Sequence, residues 1–368
     1  MTVVAQALDL GAPASRPDTA SAVLTGSVSP QSTLRDRKAQ ARLWAERLAD
    51  FKTPVASRSL GQLVSTLLPL AALVAAMGFA LEVGYWLSLL LAIPAALFLT
   101  RLFVLQHDCG HGSFFKEDWA NNLVGRCLSV FTVTPYEVWR RDHAVHHATS
   151  GNLDKRGTGD INTLTVREYL ALSRWQRFVY RVYRHPLVLF GLGPTVLFMW
   201  KFRFPLSGQE RDPKAWISVL STNVMIGTGL TLFMLAFGAL HVLMIWAPVV
   251  ILAATIGIWL FYVQHQFENV YWRTQKEWDF HDAAIEGCSF YDLPRWLHWM
   301  TGYIGYHHVH HLASRVPNYR LRDCHLAIQD FQKVAKLGIW ESFATVRLAL
   351  IDEDNRRMIG FRDLRAAA

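Results

Sequence analysis

The chain has 368 residues, of which 52% are hydrophobic and only 18% charged. That is too apolar for an ordinary water-soluble domain of this length, so a membrane protein is the first expectation. A net charge of +8 comes with no nucleic-acid motif, and four cysteines without a CxxC pair argue against a disulfide scaffold or a cysteine-held iron–sulfur cluster.

Taken in chain order, residues 1–34 are rich in Ala, Ser, Thr and Pro and lack the basic start and apolar core of a signal peptide, so they read as a disordered tail. Residues 35–59 place Trp44, Leu48 and Phe51 at i, i+4, i+7 among basic residues, which predicts an amphipathic helix on the membrane surface or on a cytosolic domain. Four segments then have the length to cross about 30 Å of hydrocarbon at 1.5 Å per residue: 63–81, 85–106, 216–240 and 243–264. Arg101 is their single charge, expected to snorkel to the nearer surface. The spans form two hairpins with very short loops near 82–84 and 240–242, neither carrying a lysine or arginine. Basic residues gather on the other side, which puts both termini in the cytosol. The shorter apolar runs Leu187–Trp200 and Asn122–Tyr136 suit interfacial or re-entrant pieces, with a five- or six-span topology as the alternative. Residues 324–368 read as a cytosolic C-terminal segment.

Histidines carry the chemistry. Nine of the fifteen fall in three five-residue windows: His107 and His111; His143, His146 and His147; His307, His308, His310 and His311. On a helix, i, i+4 and i, i+3, i+4 spacings put side chains on one face, while His308 points about 100° away and drops out. Eight converging imidazoles exceed the four that close a tetrahedral zinc site, so two metals are implied. His265, directly after the fourth span, reaches the same depth and makes a ninth ligand. The expected architecture is all-α and integral to the membrane, four transmembrane helices in two hairpins with a cytosolic helical cap holding a dimetal site.

No HExxH pairing is present, which argues against a zinc protease, although imidazole alone suits zinc, copper, iron or nickel. A polynuclear centre above a lipid-facing scaffold points to oxidation of a hydrophobic substrate, a task that needs a redox metal and oxygen. Asp108, Asp142, Asp160 and Asp279 could orient ligand imidazoles. Cys109, inside the first window, reads as a packing residue. Trp139, Tyr291, Trp296, Trp299 and Tyr303 could line a substrate channel.

The runs His107-Asp108-Cys109-Gly110-His111, His143-Ala144-Val145-His146-His147 and His307-His308-Val309-His310-His311 resemble the HxxxH, HxxHH and HxxHH boxes of the integral-membrane fatty acid desaturases. The likeness is greatest to bacterial and cyanobacterial acyl-lipid desaturases of the Δ12 (omega-6) type, and extends to Gly112-Ser113-Phe114-Phe115, Thr134-Pro135-Tyr136, Gly151-Asn152-Leu153-Asp154, Val263 to Glu268 and Val316-Pro317-Asn318-Tyr319. It covers residues 60–323. The resemblance implies a non-haem diiron enzyme that uses O2 and two electrons to insert a cis double bond into a long acyl chain, with release of water. His107, His111, His143, His146, His147, His265, His307, His310 and His311 would be the iron ligands, His308 filling a variable box position. The substrate would be an acyl-lipid more readily than acyl-CoA, with Δ12 of an oleoyl chain favoured. No His-Pro-Gly-Gly haem motif occurs, so electrons would come from a separate carrier, ferredoxin in a bacterial type, at the cytoplasmic membrane. A related histidine-box oxygenase of carotenoids or alkanes, and a non-enzymatic metal transporter or sensor, are the alternative readings.

Overall fold

The computed structural model describes residues 34–205 and 208–364. Most of the expected N-terminal tail lies outside the described residues. Among the described residues four single helices are long and apolar enough to cross a membrane, and one bent pair of helices would make a fifth. The four are span 1 (Ala56–Val83), span 2 (Tyr85–His111), span 3 (Pro213–Phe237) and span 4 (Ala239–His265). They form two hairpins. The first breaks at Gly84 as expected, whereas the second breaks at Gly238 and not at 240–242. Gly238 has φ 87°, a left-handed conformation open to glycine at little cost, and the helix restarts at once with Ala239.

Span 2 is the most enclosed of the four. Its Ala92, Ala95 and Ala96 let span 1 and span 4 approach closely, and Leu70, Met77, Leu99, Leu102, Leu105, Val249 and Val250 fill the core among the three. Phe79, Phe233 and Leu235 remain exposed, as suits side chains that meet lipid.

Arg101 does not snorkel. It is 2% exposed, donates through Nε to Thr66 Oγ1 at 3.0 Å, and through its terminal nitrogens to Gln62 Oε1 at 3.2 Å and to the Trp299 carbonyl. Its guanidinium also lies 4.0 Å from the Trp299 ring. A charge on the helix face that meets span 1 and the cap finds three acceptors there, which is cheaper than reaching for water.

The cap is predominantly helical but contains small sheets that the spacing of apolar residues does not announce. Strand β1 (Leu164–Thr165) pairs in parallel with β4 (Leu348–Asp352), which forms an antiparallel hairpin with β5 (Arg357–Gly360). Strands β2 (Phe290–Tyr291) and β3 (Lys336–Leu337) make a second, parallel pair. The C-terminal segment is therefore woven into the cap. Buried Arg184 pins it there, donating to the Leu348 carbonyl at 2.7 Å and to Gln266 Oε1 at 3.0 Å.

The amphipathic helix runs over Leu34–Ala49 and packs on the cap. Leu48 is buried, the Trp44 ring lies 5.9 Å from that of Phe331, and Trp44 Nε1 donates to Asp330 Oδ2 at 3.2 Å. The short apolar run Leu187–Trp200 is a π-helical turn (Leu187–Leu192) followed by helix Gly193–Met199, bent by 62° from helix Arg174–Arg184 and packed on span 4, where Thr255 Oγ1 donates to the Phe190 carbonyl at 2.8 Å. Asn122–Tyr136 spans most of helix Asp118–Phe131, whose Trp119, Leu123 and Phe131 face outward.

Candidate metal centre

Each histidine window sits at a defined helix position. His107 and His111 occupy the last turn and a half of span 2, which stops at Gly112 with φ 66°. His143, His146 and His147 lie on helix Tyr136–Thr149; His307, His310 and His311 lie on the short helix His307–Leu312. His265 is the last residue of span 4. Two parallel span ends and two cap helices thus meet at one depth.

Their side chains form two groups. His107, His111, His143, His147 and His310 gather in one, His146, His265, His307 and His311 in the other, with one nitrogen from each residue within 4.8 Å of the rest of its group. The four-histidine group is fully buried, while His111, His143 and His147 leave the five-histidine group partly open. His308 belongs to neither: its Nε2 lies 3.0 Å from Nδ1 of His325.

The acceptors beside the Nδ1 atoms bear on what these groups can hold. His146 Nδ1 lies 2.6 Å from Asp160 Oδ1, and His265 Nδ1 lies 3.2 Å from the Gly287 carbonyl. Both acceptors fix the proton on Nδ1, so both Nε2 atoms carry lone pairs. Those two Nε2 atoms are only 3.2 Å apart. Two facing lone pairs at that separation repel unless a cation lies between or beside them. In the five-histidine group, His143 Nε2 is 3.0 Å from His107 Nε2 and 3.1 Å from His147 Nε2, which is itself 3.0 Å from His310 Nε2. One nitrogen offers one proton or one lone pair, so that chain cannot satisfy all three contacts as hydrogen bonds. His111 Nε2 and His311 Nε2 are buried without any partner. The donor set fits two metal ions, whose charge would satisfy the facing lone pairs.

Burial holds His143, His147, His307, His310 and His311 well below the ordinary histidine pKa, and neighbouring imidazoles push the same way. Neutral imidazole is the ligating form.

The expected carboxylates separate in role. Asp160 orients His146, and Asp108 lies 3.5 Å from His107 Nδ1 while accepting the Asn318 backbone N–H at 2.8 Å. Asp142 instead accepts from Gln209 Nε2 at 2.7 Å. Asp279 caps helix Phe280–Glu286 through the backbone N–H groups of His281 and Asp282 and lies outside the centre. Cys109 is buried and free, a packing residue.

An apolar cavity of about 190 Å³ runs from Leu99, Val250 and Ala254 within the spans up to His107, His143 and His307. Trp139 lines it and stacks on His143 at 4.7 Å and 15°. The other aromatic candidates are elsewhere: Tyr291 bonds Ser342 and Trp259, Trp296 is exposed, Trp299 packs on Arg101, and Tyr303 stacks with His298. Interfacial aromatics carry no directional signal in sequence, so proximity to a box did not reveal which face they occupy. The actual lining comes from Phe103, Phe198, Phe202 and Phe261. Gly159 (φ 73°) is a further requirement that spacing missed, since a Cβ there would meet the His146 Cβ at 3.0 Å and the Asp142 carbonyl at 3.1 Å.

Comparison with known proteins agrees with this geometry. The family model for fatty acid desaturases matches residues 84–343. A fatty acid desaturase of Bacillus subtilis is 42% identical over 320 residues, covering 87% of this chain and 90% of that relative. An sn-1 oleoyl-lipid 12-desaturase of Synechocystis is 27% identical, covering 63% of this chain and 65% of the relative. A ferredoxin-named sn-1 acyl-lipid omega-3 desaturase of the same organism is 27% identical, covering 80% and 82%. Four apolar spans, paired histidine clusters and these matches together identify the chain as a membrane oxidoreductase that belongs to the fatty acid desaturase family.

Proposed function

We propose that the nine imidazoles hold two iron ions and that the enzyme inserts a cis double bond at Δ12 of an oleoyl chain carried on a membrane lipid, with O2 and two electrons from a separate donor of the ferredoxin kind. The observation that carries this reading is the apolar cavity that begins among the spans and ends on histidines of both groups. A flexible alkyl chain fits such a space, and its equivalent methylenes can be told apart only by where the cavity holds them. Bound iron would supply oxygen activation at a redox-active centre that no side chain provides, the two electrons coming from the separate donor.

The rest falls to the chain's own residues. Asp160 and the Gly287 carbonyl keep the His146 and His265 lone pairs turned inward. Trp139 and Phe261 pack against ligand rings and keep water from the apolar end. Relatives named as oleoyl-lipid 12-desaturases support the regiochemistry, and one named for ferredoxin supports the donor. Basic residues before span 1, with none in the turns at Gly84 and Gly238, support cytosolic termini and a cytosolic centre in the cytoplasmic membrane.

Expression in a host that makes only monounsaturated fatty acids tests the reading. Mass spectrometry of the host lipids should show dienes with the new bond at Δ12. Hydroxylated lipids would move the chain to an oxygenase activity, and unchanged lipids with iron-loaded protein and a competent donor would refute desaturation.

A further inference from the structure

A second, open cavity of about 970 Å³ lies in the cap and shares no lining residue with the one that reaches the histidines. It is bounded by the end of helix Arg174–Arg184, by hairpin β4–β5 and by Phe343, Val346 and Arg347 ahead of β4. Five arginines line it, Arg181, Arg184, Arg347, Arg357 and Arg362, against three carboxylates. Of the carboxylates only Glu268 meets one of these guanidinium groups, that of Arg357 at 3.8 Å. Asp352 accepts from Asn355, and Asp363 from the Gly360 backbone N–H.

Among the described residues the other four arginines have no carboxylate partner. Arg184 is the most demanding of them. It is 4% exposed, its terminal nitrogens reach only neutral acceptors on Asn162, Thr163, Gln266 and Leu348, and its Nε is buried without a partner. A buried cation without a counter-charge is costly to keep, so a cavity beside it suits an anion. The lip of the cavity is apolar. Phe343 packs on Trp259 of span 4, ring centroids 5.2 Å apart, and Trp259 lies about 9 Å before the end of that span at 1.5 Å per residue. Leu187, next to cavity-lining Pro186, is 77% exposed, and Trp340, three residues before Phe343, is 82% exposed. Such side chains level with a span end belong at the membrane interface, where arginines meet lipid phosphates. A soluble anion would account for the arginines but not for this lip.

We propose that this cavity binds the headgroup of an anionic membrane lipid, with Arg184 at its buried base and Arg347 and Arg362 at its exposed rim. The lipid is a bound neighbour and not the substrate, because the two cavities are separate, so the inference stands apart from the acyl-chain reading. Phosphate oxygens match the forked donors of the guanidinium groups. The site also joins two parts of the cap. Arg184 donates to Gln266, the residue after His265, and the Met358 backbone N–H of β5 donates to the Glu268 carbonyl at 2.6 Å. A seated headgroup therefore fastens hairpin β4–β5 to the chain that leaves span 4.

The test is native mass spectrometry of the full-length, iron-loaded protein in detergent, titrated with palmitoyl-oleoyl phosphatidylglycerol, the matched phosphatidylcholine or sn-glycerol 3-phosphate. The two lipids share their acyl chains, so a difference between them reports on the headgroup. Wild type should bind phosphatidylglycerol about tenfold more tightly than phosphatidylcholine, whose choline cation the arginines repel. Arg347→Gln combined with Arg362→Gln should bring that preference to within about twofold, while the corresponding double lysine variant, which keeps the charge, should retain most of it. Both side chains are exposed and make no hydrogen bond or ion pair among the described residues, so the ligand-free melting temperature of the glutamine variant should stay that of wild type. Phosphatidylglycerol should raise the melting temperature of wild type and leave that of the glutamine variant unchanged. Equal binding of the two lipids, or a preference untouched by the glutamine variant, overturns the inference. So does glycerol phosphate that binds as tightly as phosphatidylglycerol, which would make the ligand a soluble phosphate.

Discussion

Replacing Asp160 by alanine is the sharpest single-residue probe of the centre. Its Oδ1 lies 2.6 Å from His146 Nδ1, and both side chains are almost wholly buried. Without the carboxylate, His146 can place its proton on Nε2, the nitrogen that faces His265 at 3.2 Å. The ring would then present a donor where a metal needs a lone pair. Loss of such an orienting partner costs about 10–100-fold in metal affinity, or roughly 1.4–2.7 kcal/mol. Asp160→Asn keeps an acceptor oxygen but loses the charge, so it should fall at the mild end of that range. The assay is iron retained against a graded chelator, read by inductively coupled plasma mass spectrometry with circular dichroism as a fold control. An Asp160→Ala protein that holds iron as wild type does would refute the tautomer argument, and with it the assignment of His146 Nε2 as a ligand atom.

Other substitutions separate ligands from their neighbours. His308→Gln should keep full iron content while losing about 1–3 kcal/mol of stability from the orphaned His325 partner, whereas His310→Ala should lose iron; equal iron loss in both would erase the distinction. Gly257 lines the cavity with open space around its Cα, so Gly257→Phe should exclude at least two methylenes, costing about 1.6 kcal/mol or roughly 15-fold in KM for a long acyl chain. An unchanged KM would place the chain elsewhere. In metal-free protein the five cap histidines are held neutral by burial, so the unfolded chain binds more protons once pH falls below the ordinary value of 6.5. Stability should be greatest above that value and fall as pH drops through it; a melting temperature flat from pH 7.5 to about 5.5 would contradict the burial argument.

What could be read from sequence follows from which forces are local. Helical spacing alone brought His143, His146 and His147 onto one face and turned His308 away, because i, i+3 and i, i+4 geometry needs no tertiary information. Apolar length likewise found the spans, but the second turn was misplaced by a few residues: Leu240 to Val242 look no different in hydropathy whether they end one helix or begin the next, and Gly238 decides by its φ. Arg101 and the cap strands depend on partners far away in the chain. The hydrogen bonds of Arg101 to Gln62, Thr66 and Trp299 join three elements, and no window of sequence contains them. The same holds for β1 with β4, separated by more than half the length of the chain. Asp279 is the reverse case, since its proximity to a box in sequence suggested a role that its helix cap excludes.

The central claim is a centre of two metals held by five and four imidazoles. Native mass spectrometry of purified protein reconstituted anaerobically with ferrous iron counts the ions bound per chain. The account predicts two, one of them lost on His265→Ala because that residue belongs to the four-histidine group. A wild-type chain that saturates with a single iron would contradict it.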